Sequence, residues 1–244
     1  MQLRRFYCPE IPAPGEQVEL SESESRHALG VLRLRPGDAL LLLDGKGQLA
    51  EAQLLSARGG RVRHALCLVQ QRQLCPRPQP AFRLYIAPPQ GKSFEQVLRM
   101  AVELQCGRIT PILCRHASAK PKGIAEKWLS ILIAACKQSV NPYLPLVDEP
   151  VSFQDALLQA RESAFFGAVP GLKKEAAGLL DDSRAAILSL ALWVGPEGGF
   201  SSEEEAALLR IGCQPLTLGQ AIMRVETAVP ALFGMIQGLL QSRV

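Results

Sequence analysis

Hydrophobic and polar positions change places in short bursts through the first third of the chain, then settle into a longer rhythm beyond residue 80. Residues 17–20 read as a strand and 25–34 as a helix with Ala28, Leu29 and Leu32 on one side. Residues 38–43 run into Asp44-Gly45-Lys46-Gly47 and out again through 48–55. Asp-Gly between two apolar runs is a hairpin signal, because both turn residues must accept positive φ. Arg58-Gly59-Gly60 marks the next turn, and 61–70 returns as an alternating strand. Repeated hairpins with a single helix predict a small β-barrel over residues 1–73.

The stretch from Gln70 to Pro80 is polar and proline-rich, so it should be extended and poor in contacts, with a linker at 74–80. Beyond it strands and helices alternate. Strands are predicted at 82–87, 109–114, 164–169, 187–194 and 214–218. Phe94, Val97, Leu98, Ala101 and Val102 trace the apolar stripe of a helix ending near Gln105. A second helix covers 122–139, with Trp128, Ile131, Leu132, Ala135 and Cys136 on one face. Ser152 with Asp155 starts a third, over 153–162, and Ser201 with Glu204 (or Ser202 with Glu205) starts a fourth that Gly212 ends. A last helix runs to Gln241. Long apolar runs such as 187–194 suit parallel strands covered on both faces, so residues 81–244 form an α/β domain with a mostly parallel sheet.

Composition narrows the function classes. At 48% hydrophobic and 20% charged the chain is globular, and its apolar runs are far too short to span a membrane. Met1-Gln2-Leu3-Arg4-Arg5-Phe6 leads into no apolar stretch of signal-peptide length, so a cytoplasmic location is expected. Seven cysteines (8, 67, 75, 106, 114, 136 and 213) show neither C-x-x-C pairs nor a histidine at zinc spacing. They read as reduced, mostly buried thiols, and no metal is expected. The net charge of +4 gathers at the front, with 11 Lys/Arg against 8 Asp/Glu up to residue 80. Arg58, Arg61 and Arg63 crowd one turn there, as a solvated surface or as an RNA-facing patch.

Open parallel sheets bind ligands at the carboxyl ends of their strands. Two loops in that position have unusual composition. Trp193-Val194-Gly195-Pro196-Glu197-Gly198-Gly199-Phe200 carries three glycines within five residues, which lets a backbone approach a ligand closely. It lacks the Lys-Ser/Thr of a phosphate loop and the G-x-G-x-x-G spacing of a dinucleotide fold. The second loop follows Leu216 and contains Gly219, Ile222, Met223, Arg224 and Glu226. Apolar residues in such a loop often cover the flat face of a ligand. Arg224 and Glu226 could equally form an ion pair and a helix-start carboxylate. Pro230 is tolerable if the helix begins near Glu226.

Together, G-P-E-G-G before a Ser-x-x-Glu helix start and L-G-x-x-x-x-R-x-E-T-A some twenty residues later resemble the knotted SPOUT methyltransferases. The match is nearest to the ribosomal RNA small-subunit methyltransferase E family. Arg4-Arg5-Phe6-Tyr7, His27, Val31-Leu32-Arg33, Pro36-Gly37-Asp38, Val102-Glu103-Leu104, Ile109-Thr110-Pro111 and Ala134-Ala135-Cys136-Lys137-Gln138-Ser139 agree with it. The resemblance implies a PUA-like barrel followed by an α/β domain with a C-terminal trefoil knot, a homodimer, and S-adenosylmethionine as cofactor. It also implies methylation of N3 of a uridine in 16S ribosomal RNA. A SPOUT methyltransferase acting on another RNA site, or a non-catalytic RNA-binding relative, are the alternatives.

By the same resemblance, Arg224 stabilises the anion left when N3 loses its proton, and Glu226 takes that proton or orients the cation. Phe166, Gly167, Val194, Gly195, Pro196, Glu197, Gly198, Gly199, Leu216, Leu218, Gly219, Ile222 and Met223 would hold the cofactor. Arg4, Arg5 and Arg33 are expected on RNA phosphates, and Gln138 within reach of RNA. His27 would touch RNA or pack its helix. The sequence also departs from the family. Gln220, Ala221 and Val225 replace a proline, an arginine and a threonine; Met100 stands for a lysine and Gln105 for a glycine. Arg115-His116 stands for a Glu-Arg pair and Asn141 for an arginine. The replaced cations are expected to face RNA, leaving the cofactor loop intact.

Overall fold

The structure, a computed structural model, describes residues 3–59, 63–168 and 188–241. The expected turn residue Gly60, the strand start at Arg61 and the strand ends at Val169 and Ile187 lie outside them. Two compact units result. One comprises the described residues up to Arg77 together with Ile133–Leu144; the other comprises Pro78–Leu132 together with the described residues from Pro145 onward.

The first unit is a five-stranded sheet of β1 (Arg4–Tyr7), β2 (Gln17–Glu19), β3 (Ala39–Leu43), β4 (Gln48–Arg58) and β5 (His64–Leu74), in the order β1-β3-β4-β5-β2. The expected hairpin forms between β3 and β4. Asp44, 2% exposed, holds it by accepting the Lys46 and Gln48 N–H groups at 2.7 and 2.9 Å, with Gly45 and Gly47 at φ 75° and 111°. Strand β1 has no counterpart in the sequence reading, because two arginines dilute its four residues; it pairs in parallel with β3. Phe6, Leu40, Leu42, Ala52, Leu54 and Val69 fill the core.

The expected helix over 25–34 divides. A single turn, α1 (Glu22–Ser25), is capped by Ser21 and passes into a π-helical stretch, Arg26–Val31. Buried Ser25 explains the early start: its hydroxyl donates to the Leu20 carbonyl and accepts the Ala65 N–H, which ties the turn to the sheet. Arg33, at φ 54°, follows the end of the helical run.

The second unit has helices α2 (Lys92–Glu103), the first half of α3 (Glu126–Ser139), α4 (Phe153–Gln159), α5 (Ser202–Arg210) and α6 (Val225–Gln241). Its strands are β6 (Ala81–Ile86), β7 (Cys106–Leu113), β8 (Leu146–Val147), β9 (Val151–Ser152), β10 (Ser163–Gly167), β11 (Ser189–Val194) and β12 (Gln214–Leu216). The order is β12-β10-β11-β6-β7-β8, with β9 also on β7, and every pairing is parallel. Side chains alternate between two covered faces, as continuous apolar strands require. Tyr85, Trp193 and Phe166 pack with Phe153 of α4 and Leu208 of α5. Phe82 turns the other way, 4.9 Å from the Phe233 ring of α6. Tyr85 and Trp193, paired across β6 and β11, stack at 3.9 Å.

Helix α3 starts later than the expected residue 122, beyond Pro121 and Gly123, and its residues from Ile133 count with the first unit. There the Arg5 guanidinium donates to the carbonyls of Lys137 and Gln138 at 3.0 and 2.7 Å. Helix α4 stops at Gln159 rather than 162, and Glu162 instead meets a buried charge cluster. In that cluster Arg83, 8% exposed, reaches Asp148 at 3.1 Å, Glu162 at 3.4 Å and the Thr110 hydroxyl at 3.0 Å.

Candidate active site

Adjacent parallel strands β11, β10 and β12 end on one edge of the sheet, and a cleft opens there. Its walls come from Gly167 and Ala168 after β10, from Val194, Gly195, Pro196, Glu197 and Gly199 after β11, and from Leu216, Leu218, Ala221, Ile222 and Met223 around the end of β12. Val225, Ala228 and Leu232 of α6 close the remaining side. The cleft has a volume of about 70 Å3 and is partly open, with Ile222 of its wall 72% exposed.

Local chemistry explains how the β11 loop holds its shape. Ser201 and Glu204 form the expected capping box, the Ser201 N–H reaching the Glu204 carboxylate at 2.8 Å. Gly199, at φ 74°, closes a turn by donating to the Pro196 carbonyl at 2.8 Å. A Cβ on Gly195 would stand 3.1 Å from both the ring and the backbone nitrogen of Phe200, so only glycine fits without displacing the loop. A Cβ on Gly167 would stand 2.9 Å from Leu232 Cδ1, on the cleft wall.

Ten of the thirteen residues expected around a cofactor line this cleft. Phe166 does not: it points into the core beneath, its ring 6.3 Å from Phe200, because strand neighbours face opposite ways and Gly167 takes the cleft side. Gly198 does not line it either, and a Cβ there would meet His116 at 3.5 Å. Gly219, exposed at φ 64°, shapes the loop from outside the lining. Ala221, inside the expected loop, lines the cleft too, as do four residues not expected there: Ala168, Val225, Ala228 and Leu232. Three of them form a stripe at i, i+3 and i+7, a signal that was legible in α6.

Arg224 and Glu226 do not pair with each other. Arg224 is exposed, and among the described residues its guanidinium has no acidic partner. Its carbonyl accepts the Thr227 and Ala228 N–H groups. Glu226 is half-buried and accepts a hydrogen bond from the Ser93 hydroxyl of α2 at 3.3 Å. Helix α6 begins at Val225, so Pro230 lies beyond the first turn and leaves the Glu226 carbonyl without its usual helical donor.

The residues expected on RNA divide. Arg4, Arg5, His27 and Gln138 line one groove of the first unit, and Arg33 is exposed outside that lining. Arg5 is already engaged by the two α3 carbonyls, and His27 lies edge-on to Phe6 at 6.0 Å. Three departures from the family find physical places. Asn141 is 6% exposed and its side chain accepts the Tyr143 N–H, so it does not face RNA as expected. Ala221, where a cation was expected to face RNA, lines the cleft itself. Gln105 adopts φ 59°, a conformation glycine takes freely.

Among the described residues no group of three or more His, Cys, Asp or Glu could hold a metal ion, and no helix is long and apolar enough to cross a membrane. Residues 76–237 match the RNA methyltransferase domain family, and residues 20–63 match the RNA methyltransferase PUA domain. Ribosomal RNA small subunit methyltransferase E of Synechocystis is 30% identical over 95% of this chain and 78% of its own length. The Mycobacterium bovis protein of that name is 31% identical, over 98% and 92%. Among solved structures, ribosomal RNA small subunit methyltransferase E of Neisseria gonorrhoeae, bound to S-adenosylmethionine, superposes with a TM-score of 0.83 at 28% identity, over 98% of both chains. A protein of Legionella pneumophila described as a methyltransferase with the same cofactor bound gives 0.85 at 27% identity, again over 98% of both. With its glycine-lined cleft and PUA-type sheet, this chain belongs to the ribosomal RNA small subunit methyltransferase E family.

Proposed function

We propose that the chain methylates N3 of a uridine in 16S ribosomal RNA, using S-adenosylmethionine, as a cytoplasmic homodimer whose C-terminal domain is tied in a trefoil knot. Residues 1–73 would serve as the RNA-binding domain, 74–80 as the linker and 81–244 as the methyltransferase domain. The observation that carries this reading is the cleft at the ends of β10, β11 and β12, formed by the glycine loop and the start of α6. Its residues fit a nucleoside-bearing cofactor. Gly167 and Gly195 let the backbone of the cleft wall pack directly on Leu232 and Phe200, and Leu216, Leu218, Ile222 and Met223 offer apolar surface for a flat ring.

When bound, S-adenosylmethionine supplies an electrophilic methyl group. The chain's task is to present N3 as a nucleophile. On this reading Arg224, exposed between the lining residues Met223 and Val225, stabilises the uracil ring as it becomes negative. Glu226, steadied by Ser93, takes the N3 proton.

Calorimetric titration of S-adenosylmethionine and S-adenosylhomocysteine into the purified protein tests the cofactor half of the reading. Binding of either is expected; well-folded protein that binds neither, alone or with RNA, would sink it. Arg224→Ala tests the catalytic half, and should abolish methylation with cofactor binding retained. Survival of activity would remove Arg224 from its role. One observation favours a non-catalytic RNA-binding relative instead: Ala221 occupies the cleft where the family carries an arginine. Binding of RNA but of no cofactor would select that second reading.

A further inference from the structure

Because every strand of the second sheet runs parallel, the loops leaving β6, β7, β11 and β12 all emerge on one edge. The loop after β7 is unusual in length and charge. Residues 114–125 include Arg115, His116, Lys120 and Lys122 and contain no Asp or Glu. Connections this long inside a compact domain are uncommon and often functional.

The loop is fastened to the cofactor cleft. The Ser118 hydroxyl donates to the carboxylate of Glu197, a cleft residue, at 3.2 Å, and the Gln90 amide donates to the Ser118 carbonyl at 3.2 Å. The Arg115 N–H donates to Glu204 of the capping box at 2.8 Å, and its guanidinium pairs with Glu203 at 2.8 Å. That uses up Arg115. Lys120, Lys122 and Lys92 are exposed, and among the described residues none of the three forms a salt bridge, Lys92 acting on Glu95 only at longer range. Lys92 opens α2 next to Ser93, the residue bonded to Glu226. Unpaired cations thus flank the cleft along the same edge that carries Arg224.

We propose that this edge is a second RNA-contacting surface, in which Lys92, Lys120 and Lys122 hold phosphates of the strand carrying the target base. The inference rests on the uridine-N3 reading for the nature of that strand. N3 lies on the base-pairing edge of uracil, so the substrate must be unpaired there, and a single strand presents its phosphates along an open rim. The contacts position the strand and carry no sequence information.

The test compares the Lys120→Gln/Lys122→Gln double variant with wild type for binding to a fluorescent single-stranded RNA of mixed sequence, from about 50 to about 200 mM salt. Weaker binding is expected, with a slope of log K against log salt shallower by about 1.4, because each lost phosphate contact on a single strand removes about 0.7. An Arg161→Gln/Arg210→Gln control, which removes two exposed cations that precede β10 and β12 at the opposite edge of the sheet, should leave both quantities near wild type. Unchanged affinity and slope in the loop variant, or an equal loss in the control, would overturn the proposal. Calorimetry with S-adenosylmethionine on the same loop variant should match wild type. Failure of wild-type protein to bind that cofactor would count against the methyltransferase reading, and leaves the RNA comparison intact.

Discussion

The Ser93 hydroxyl, near the start of α2, donates a 3.3 Å hydrogen bond to the carboxylate of Glu226, near the start of α6 and 133 residues away in the chain. Glu226 makes this bond and no ion pair with Arg224, whose guanidinium forms no salt bridge among the described residues. On the proposed mechanism, Ser93 would position the proton acceptor. A hydrogen bond to a charged group contributes roughly 1.5 kcal/mol, so Ser93→Ala should lower kcat about tenfold. KM for S-adenosylmethionine should stay put, and Ser93→Thr should restore turnover. Steady-state kinetics of the three proteins checks this; an unchanged kcat in Ser93→Ala would dismiss the role.

Two neighbouring glycines of one loop should respond differently to a methyl group. At Gly195 the added Cβ meets the ring and backbone of Phe200 at 3.1 Å, whereas at Gly198 it meets only His116 at an ordinary 3.5 Å. Gly195→Ala should therefore weaken cofactor binding at least tenfold, about 1.4 kcal/mol, while Gly198→Ala binds much as wild type. Parallel calorimetric titrations decide the matter, and equal affinities would show that the loop yields.

Val140 and Gly212 occupy equivalent places at two helix ends. In both, the following N–H reaches back five residues, from Asn141 to Cys136 at 3.1 Å and from Cys213 to Leu208 at 3.0 Å. Both take positive φ, 58° and 83°. Glycine does this without strain, whereas a β-branched residue is disfavoured by about 1 to 2 kcal/mol. Val140→Gly should therefore stabilise the protein by about 1 kcal/mol after glycine's entropic cost, raising Tm by roughly 2 to 4 °C. A lowered Tm in thermal denaturation would mean that the valine side chain contributes more than its backbone costs.

Asp148 should make part of the stability depend on acid pH. Burial, its largest influence, pushes its carboxyl up, but hydrogen bonds from Arg108 and Thr110 and the charges of Arg108 and Arg83 outweigh it and hold it below its ordinary value. A carboxyl depressed on folding adds stability above its unfolded pKa, and that contribution disappears as pH falls through the folded value. Asp148→Asn should cost about 3 kcal/mol near neutrality, since it leaves Arg83 with less compensation. It should also flatten the loss of stability on acidification below the usual carboxylate range. Urea denaturation across that range reads both effects; an unchanged acid limb would assign the pH dependence to other carboxyls.

Local pattern determined much of this protein. The Asp44-Gly45 hairpin, the Ser201–Glu204 capping box, the Gly212 helix end and the long apolar strands were legible because each depends on residues close together in sequence. The two chemical motifs were legible for the same reason, as short runs of glycine and charge after strands. Tertiary structure decided how they are used. Strand order placed the ends of β10, β11 and β12 side by side, which turned Gly167 to the cleft and Phe166 to the core and brought the α6 stripe over the opening. It also joined Ser93 to Glu226, buried Asn141 and grouped Ile133–Leu144 with the first unit. None of these has a local signature. Periodicity reports which side of an element is apolar, but which surfaces meet depends on contacts between residues far apart in the chain.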